Sequence, residues 1–185
     1  MSLPPSIPLA RRFAVPERLE TERLILRMFV DDDWRALHEH YSDAECTRFT
    51  FRRALTEAGT WRAMASMAGH WLLRGYGPYA LEEKSTGTVL GTVGPWYPLE
   101  WPEPEIKWAL ARRHWGQGYA SEAVRAVQHM AQECLPDLRL ISLVDSRNEF
   151  SIRLALAVGA SFEGEMDFAG SLFHVYRHPD KANAG

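Results

Sequence analysis

Cysteine is scarce in this chain, and the scarcity excludes a good deal. Cys46 and Cys134 are the only two, they form no CxxC pair, and no histidine cluster stands at metal-ligand spacing. Neither a disulfide framework nor a metal site is therefore expected. Long apolar runs are also missing: nothing approaches the roughly eighteen uninterrupted apolar residues of a membrane-crossing helix, and the N-terminus lacks the apolar centre of a signal peptide. There is no basic excess either, since 21 Lys+Arg against 24 Asp+Glu leaves a formal charge of −3. That balance argues against nucleic acid as the partner, because binding phosphates in number needs a surplus of cations. The expectation is a cytoplasmic protein with reduced thiols that engages neither nucleic acid nor a membrane.

What is present is ordinary globular composition, 46% hydrophobic and 24% charged over 185 residues. A chain of that length buries about 70% of its unfolded surface, enough for a core that needs no staples. Pro4, Pro5, Pro8 and Pro16 with Arg11 and Arg12 make residues 1–16 read as an extended lead-in. Residues 179–185 are polar and small and read as a frayed tail. No repeat or linker divides the rest, so one domain is expected over 17–178.

Within it, Arg23–Phe29 reads as a strand, followed by a helix N-terminus at Asp31–Asp33, where carboxylates suit orphan N–H groups. Trp34, Leu37, His38 and Tyr41 share one face of that helix, and a second helix fits residues 57–74 with Gly75 as its stop. Three strands follow at Tyr79–Glu83, Val89–Trp96 and Glu105–Leu110. Ala120, Ala123, Val124, Val127, Ala131 and Cys134 then lie on one face of a helix ending before Pro136. Leu138–Val144 reads as a buried central strand, Glu149–Val158 as a short helix stopped by Gly159, and Ser161–Phe168 and Ser171–Arg177 as the last strands. The order predicts an α/β fold with a mixed sheet of about six to seven mostly antiparallel strands and helices on both faces.

The stretch ALARRHWGQGYASEA, residues 109–123, is the most informative. Gly116 and Gly118 fall between the fourth strand and a helix, where backbone N–H groups can approach an anion at the positive end of the helix. Arg112 and Arg113 could add charge. A P-loop would need a GK[ST] ending, which is missing. A dinucleotide fingerprint would need a third small residue where Ser121 stands and an acidic residue about 20 positions on. Asp145 lies 145 − 118 = 27 residues past Gly118. A plain glycine-rich turn also fits the loop taken alone.

RRHWGQGYASEA does not stand alone. With EIKWAL before it and SRNEFSIRLALAVGASFEGE after the next strand, it resembles the GNAT superfamily of acyl-CoA N-acyltransferases. The opening LETERLILR, residues 19–27, is similar to the branch of RimJ/RimL-type ribosomal-protein acetyltransferases. The likeness runs over about residues 19–165, and Arg113, Gly116 and Gly118 satisfy the motif [R/Q]xxGx[G/A]. It implies that the backbone of Arg113, His114, Trp115, Gly116, Gln117, Gly118, Tyr119 and Ala120, with Ser121 beside it, holds the pyrophosphate of acetyl-CoA. It further implies that the main chain of Trp108, Ala109, Leu110 and Ala111 pairs with the pantetheine arm, and that Asn148 and Ser151 lie against the cofactor. For these last two, helix capping is an equally good local reading. No metal is implied.

The same resemblance makes Glu105 the candidate base for an attacking amine, with Glu103 and Glu100 as rivals; a solvated acidic loop would explain all three. Relatives often carry a Tyr acid after the NxxS segment, where this chain has Leu154, Ala155 and Leu156, leaving Ser151 to protonate the departing thiolate. A backbone N–H near Trp108 or Ala109 would polarise the thioester, and Lys107 stands where relatives often have Gly. Trp96, Glu100, Trp101 and Glu103, in the proline-rich PWYPLEWPEPE, suit a wall for a cationic acceptor, although exposed aromatics also suit a dimer contact. The expected activity is acetyl transfer from acetyl-CoA to the amine of a small molecule or peptide, by a monomer or homodimer. The competing readings are a non-catalytic CoA-binding regulatory module and a dinucleotide oxidoreductase.

Overall fold

The computed structural model describes residues 13–180. The chain opens with a hairpin of β1 (Arg18–Glu20) and β2 (Leu24–Arg27). In β2 Leu24 and Leu26 point inward and are fully buried, while Arg27 faces out. Helix α1 (Asp33–Ser42) follows. Its N-cap, Asp32, makes no side-chain cap; Asp33 works one position later, accepting from Val30 N–H at 2.8 Å and from both terminal nitrogens of Arg27 at 2.8 and 2.9 Å. A single turn, α2 (Ala44–Thr47), is capped by Asp43, and α3 (Glu57–Arg74) is capped by Thr56 and ended by Gly75 at φ 80°. Only glycine adopts that left-handed conformation at little cost.

Strands β3 (Tyr79–Glu83), β4 (Val89–Trp96) and β5 (Glu105–Leu110) continue the antiparallel meander. A 3-10 turn at Arg112–His114 leads into α4 (Tyr119–Cys134), which crosses back so that β6 (Ile141–Asp145) runs parallel to β5. Then come α5 (Glu149–Ala157), β7 (Ser161–Phe168) and β8 (Ser171–Arg177). The sheet order is β1-β2-β3-β4-β5-β6-β8-β7, eight strands among the described residues. The strand beyond the expected six to seven is β1, too short at three residues to show alternation. The expected central strand also starts later, at Ile141, where pairing with Arg177 of β8 begins; Leu138 and Leu140 pack into the core from the connection.

Helix α4 covers one face, where Ala123, Val124, Val127, Met130 and Ala131 meet Leu24, Leu81, Leu90, Val93, Ile106 and Leu110. Each fully buried leucine there contributes roughly 1.5–3 kcal/mol. Helix α5 extends that face under β6 and β8 through Val144, Ala155, Ala160 and Tyr176. Helices α1 and α3 close the other face with Leu37, Tyr41, Met64 and Met67. Of the expected lead-in, residues 13–16 are tied down: Val15 is buried, Phe13 packs edge-on to Trp71, and Ala14 N–H donates to Gly75 O at 2.7 Å. Residues 1–12, and 181–185 of the expected tail, lie outside the described residues.

Candidate active site

The sheet is two ribbons joined by one rung. Strand β5 pairs with β4 at six consecutive positions and β6 with β8 at five, yet β5 and β6 register only at Glu105 and Ile141. Past that rung the strands part. Ala111 N–H donates to Leu90 O, so the antiparallel alternation turns the peptide groups of Ala109 and Ala111 toward β4 and those of Trp108 and Leu110 toward the opening. Only half of the four-residue backbone expected to face a pantetheine does so. The Leu110 carbonyl is already occupied, accepting from His40 Nδ1 at 2.9 Å and Trp115 Nε1 at 2.8 Å. The amide N–H of Trp108 remains directed into the gap.

At the far end of β5 the glycine loop presents backbone. Gly116 and Gly118 sit at φ 71° and 81°, and Gly118 is the N-cap of α4 with no side chain capping the first turn. The orphan N–H groups of that turn, at the positive end of a sixteen-residue helix, are the anion-attracting feature. The nearby cations are less free than the sequence suggests. Arg113 pairs with Glu39 at 3.0 Å and donates to His114 Nε2, and Arg112 pairs with Asp43 at 2.9 Å. Burial, then the Arg113 charge, holds the His114 imidazole below its usual pKa.

Arg23, which sequence reasoning did not single out, anchors the loop from the turn just before β2. It donates to Gln117 O at 2.9 Å and to Glu122 at 2.7 Å, and it covers the Tyr119 ring at 4.5 Å. Tyr119 in turn hydrogen-bonds Glu83. Ala120 and Ser121 continue the first turn of α4, partly buried.

Beside the opening, on the α5 side, Asn148 Oδ1 caps the helix by accepting from Ser151 N–H at 3.2 Å, and Ser151 Oγ accepts from Trp108 Nε1 at 3.2 Å. The structure thus brings Trp108, Asn148 and Ser151 together. Asp145, the acid considered for a dinucleotide ribose, is buried and held by Arg147 through its backbone N–H at 3.0 Å and two guanidinium bonds of 2.9 and 2.8 Å. With one parallel rung in an otherwise antiparallel sheet, the doubly wound dinucleotide fold is excluded as well.

The opposite face of β5 carries Glu105 and Lys107. Glu105 is 6% exposed; its carboxylate accepts from Trp101 Nε1 at 2.8 Å and from Leu143 N–H at 3.3 Å. Burial pushes its pKa up to about 7, against the pull of those two donors and of Lys107. Burial also depresses the pKa of Lys107, whose Nζ lies 3.5 Å from Met67 Sδ and 5.1 Å over the Trp96 ring. Trp96 stacks on His70 at 4.9 Å, while Trp101 meets Trp96 and Phe168 edge-on.

The three loop glutamates prove to be unlike one another. Glu100 is exposed, Glu103 is clamped by Arg177 at 2.8 and 3.0 Å, and only Glu105 is buried at the rung. Glu103 therefore gives its charge to β8 rather than to an acceptor wall.

A parted strand pair, a glycine loop at a helix N-terminus and a buried carboxyl thus lie along one strand, β5, and its continuation. Residues 23–161 match the family model described as an acetyltransferase (GNAT) domain. The chain belongs to the GNAT acetyltransferases.

An uncharacterized N-acetyltransferase of Bacillus licheniformis, p20, is 33% identical over 166 residues, covering 86% of this chain and 93% of that protein. Among solved structures, an acetyltransferase from Agrobacterium tumefaciens superposes with a TM-score of 0.78 at 27% identity, covering 97% of this chain and 99% of its own. The ribosomal-protein-S5-alanine acetyltransferase of Vibrio fischeri shares the fold, with a TM-score of 0.72 at 15% identity over 91% of this chain and 99% of its own. This GNAT domain is accordingly an acyltransferase. Among the described residues no helix is long and apolar enough to cross a membrane.

Proposed function

We propose that this enzyme moves the acetyl group of acetyl-CoA to a primary amine by direct attack in the opening between β5 and β6. The carrying observation is the single Glu105–Ile141 rung, beyond which the Trp108 peptide faces a gap that leads to the uncapped start of α4. The gap suits an extended amide-bearing arm laid along Trp108 and Leu110, and the loop from Arg113 to Ser121 suits the pyrophosphate at its end.

In this reading the acceptor nitrogen forms its bond to the thioester carbon, the C–S bond breaks, and the sulfur leaves with the electron pair. Trp108 N–H polarises the carbonyl. Ser151 Oγ–H donates a hydrogen bond to the sulfur, which departs as the thiolate and takes its proton from solvent, and the proton of the amine goes to the Glu105 carboxylate, directly or through water. A lysine-type amine at pH 7 costs about 4–5 kcal/mol to deprotonate and an α-amine about 1. A carboxylate poised near 7 is well matched to that task. Trp96 and Trp101 line the acceptor side with Lys107, and the acceptor is the amine of a small molecule or a peptide. The protein acts in the cytoplasm as a monomer or homodimer and uses no metal.

The test is an amine panel assayed by CoA release, paired with calorimetry of CoA binding. Saturable release with at least one amine supports the enzyme. Tight CoA binding with no release across the panel would leave a CoA-sensing module instead.

A further inference from the structure

We infer that Ser142 is a positioning residue which, with His178 and Gln128 behind it, keeps β5 and β6 from zipping together and so holds the acyl-donor gap open. Its observations lie on the α4–α5 side of the sheet, among buried polar groups for which the transfer step has no use. A parallel ladder continued one step beyond Glu105 and Ile141 would join the Ile106 carbonyl to Leu143 N–H, and then Trp108 N–H to the Leu143 carbonyl. Neither strand is irregular in itself, because the β4–β5 and β6–β8 registers run without a shift. The parting therefore originates at the junction.

Both junction groups carry side-chain partners. Ile106 O accepts from Ser142 Oγ at 2.6 Å, and Leu143 N–H donates to Glu105 Oε2 at 3.3 Å. The serine bond is short and buried, and its direction is fixed from behind. Gln128 Nε2 donates to Val158 O at 3.1 Å, which identifies it as the amide nitrogen, and also to His178 Nδ1 at 2.8 Å. His178 then carries its proton on Nε2 and donates to Ser142 Oγ at 2.8 Å. The serine hydroxyl has one proton left to give, and it gives it to Ile106 O. Burial holds the pKa of His178 down to about 4, so the imidazole stays neutral and the relay keeps one proton order at neutral pH. Gln128, Ser142 and His178 lie on α4, on β6 and just past β8. They lock the three elements around the rung to one another.

The experiment compares Ser142→Thr with Ser142→Val, two β-branched residues of nearly equal size that differ in the hydroxyl. The first readout is amide hydrogen exchange at Trp108 in the ligand-free protein, which does not depend on any donor. In Ser142→Val the ladder gains a rung and Trp108 exchange slows by about tenfold or more, whereas Ser142→Thr stays near wild type. The second readout is the dissociation constant of CoA by calorimetry, which rests on the proposed function; it rises about tenfold in Ser142→Val and is restored in Ser142→Thr. A stability role alone would lower the melting temperature without slowing Trp108 exchange. Equal Trp108 exchange in the two variants overturns the inference. If the wild type binds no CoA, the functional reading fails while the exchange contrast still decides this one. Should Ser142→Val not fold, Ser142→Ala adds no volume and is read against Ser142→Thr in the same way.

Discussion

The two ends of β5 hold ionisable groups under opposite conditions. At its C-terminal end Arg112 and Arg113 are largely solvent-exposed, each paired with a carboxylate from the α1–α2 segment. At its N-terminal end Glu105 is sealed under Trp101, with Lys107 beside it and both pKa values displaced by burial. Exposed pairs are worth about 0–1 kcal/mol, and salt screens them. A buried carboxyl has no such screen. On the proposed function the glycine loop therefore holds its anion through backbone N–H groups more than through its arginines, while at the other end one side chain sets both the chemistry and part of the pH response.

Glu105→Gln is the strongest probe of the buried end. It should lower kcat by about 10²–10⁴ with CoA affinity essentially unchanged, in steady-state kinetics beside calorimetry. A variant that keeps both its rate and its pH profile would remove Glu105 from the base role. The same substitution exposes a stability effect. An acid whose pKa rises from 4.5 to about 7 on folding keeps a proton that the unfolded chain has lost. Its contribution is thus full at low pH and is lost as pH climbs between those values, by about 1.4 kcal/mol per unit and roughly 3 kcal/mol in total. Chemical denaturation across pH 4–8 should show that decline in wild type and not in Glu105→Gln.

The exposed end yields to a backbone change. Gly118 is left-handed, and a Cβ there would come 3.3 Å from Arg23 Nη2. Gly118→Ala should cost about 1–2 kcal/mol in conformation and loosen CoA by about tenfold, with little change in kcat. Lys107→Met returns to the buried end. Removing a cation that lowers the Glu105 pKa should move the acidic limb of the pH–rate profile upward. A limb that stays in place, or moves down, would separate the two groups.

What the sequence revealed of this contrast, and what it hid, follows from range. Apolar runs, the Gly75 stop and the RRHWGQG loop are local signals, and the elements they predict agree with the structure to within a few residues. The GNAT motif was legible for the same reason. The acidic triplet Glu100, Glu103 and Glu105 reads as one field in the sequence because nothing nearby distinguishes its members. Their differences come from Arg177, 74 positions from Glu103, and from the Leu143 amide, 38 from Glu105. Arg23 reaches Gln117 across 94 positions, and Ser142 meets Ile106 across 36. Such contacts depend on which strands become neighbours, and the parallel β5–β6 placement follows from the α4 crossover rather than from any local pattern.

The smallest expected effect is the one that tests the comparison most directly. Arg113 belongs to the motif by sequence, yet its guanidinium already faces Glu39 and His114 in a solvated setting. Arg113→Ala should weaken CoA by no more than about fivefold, equivalent to roughly 1 kcal/mol, and the loss should shrink as salt is raised from 50 to 500 mM, on the order of what exposed pairs show. Glu39→Ala, which frees the arginine, should strengthen CoA binding slightly at low salt by the same logic. A hundredfold loss in Arg113→Ala that persists at high salt would mean that the side chain leaves Glu39 to grip the phosphates directly. The loop would then depend on a desolvated cation, as the other end of β5 depends on a desolvated carboxyl.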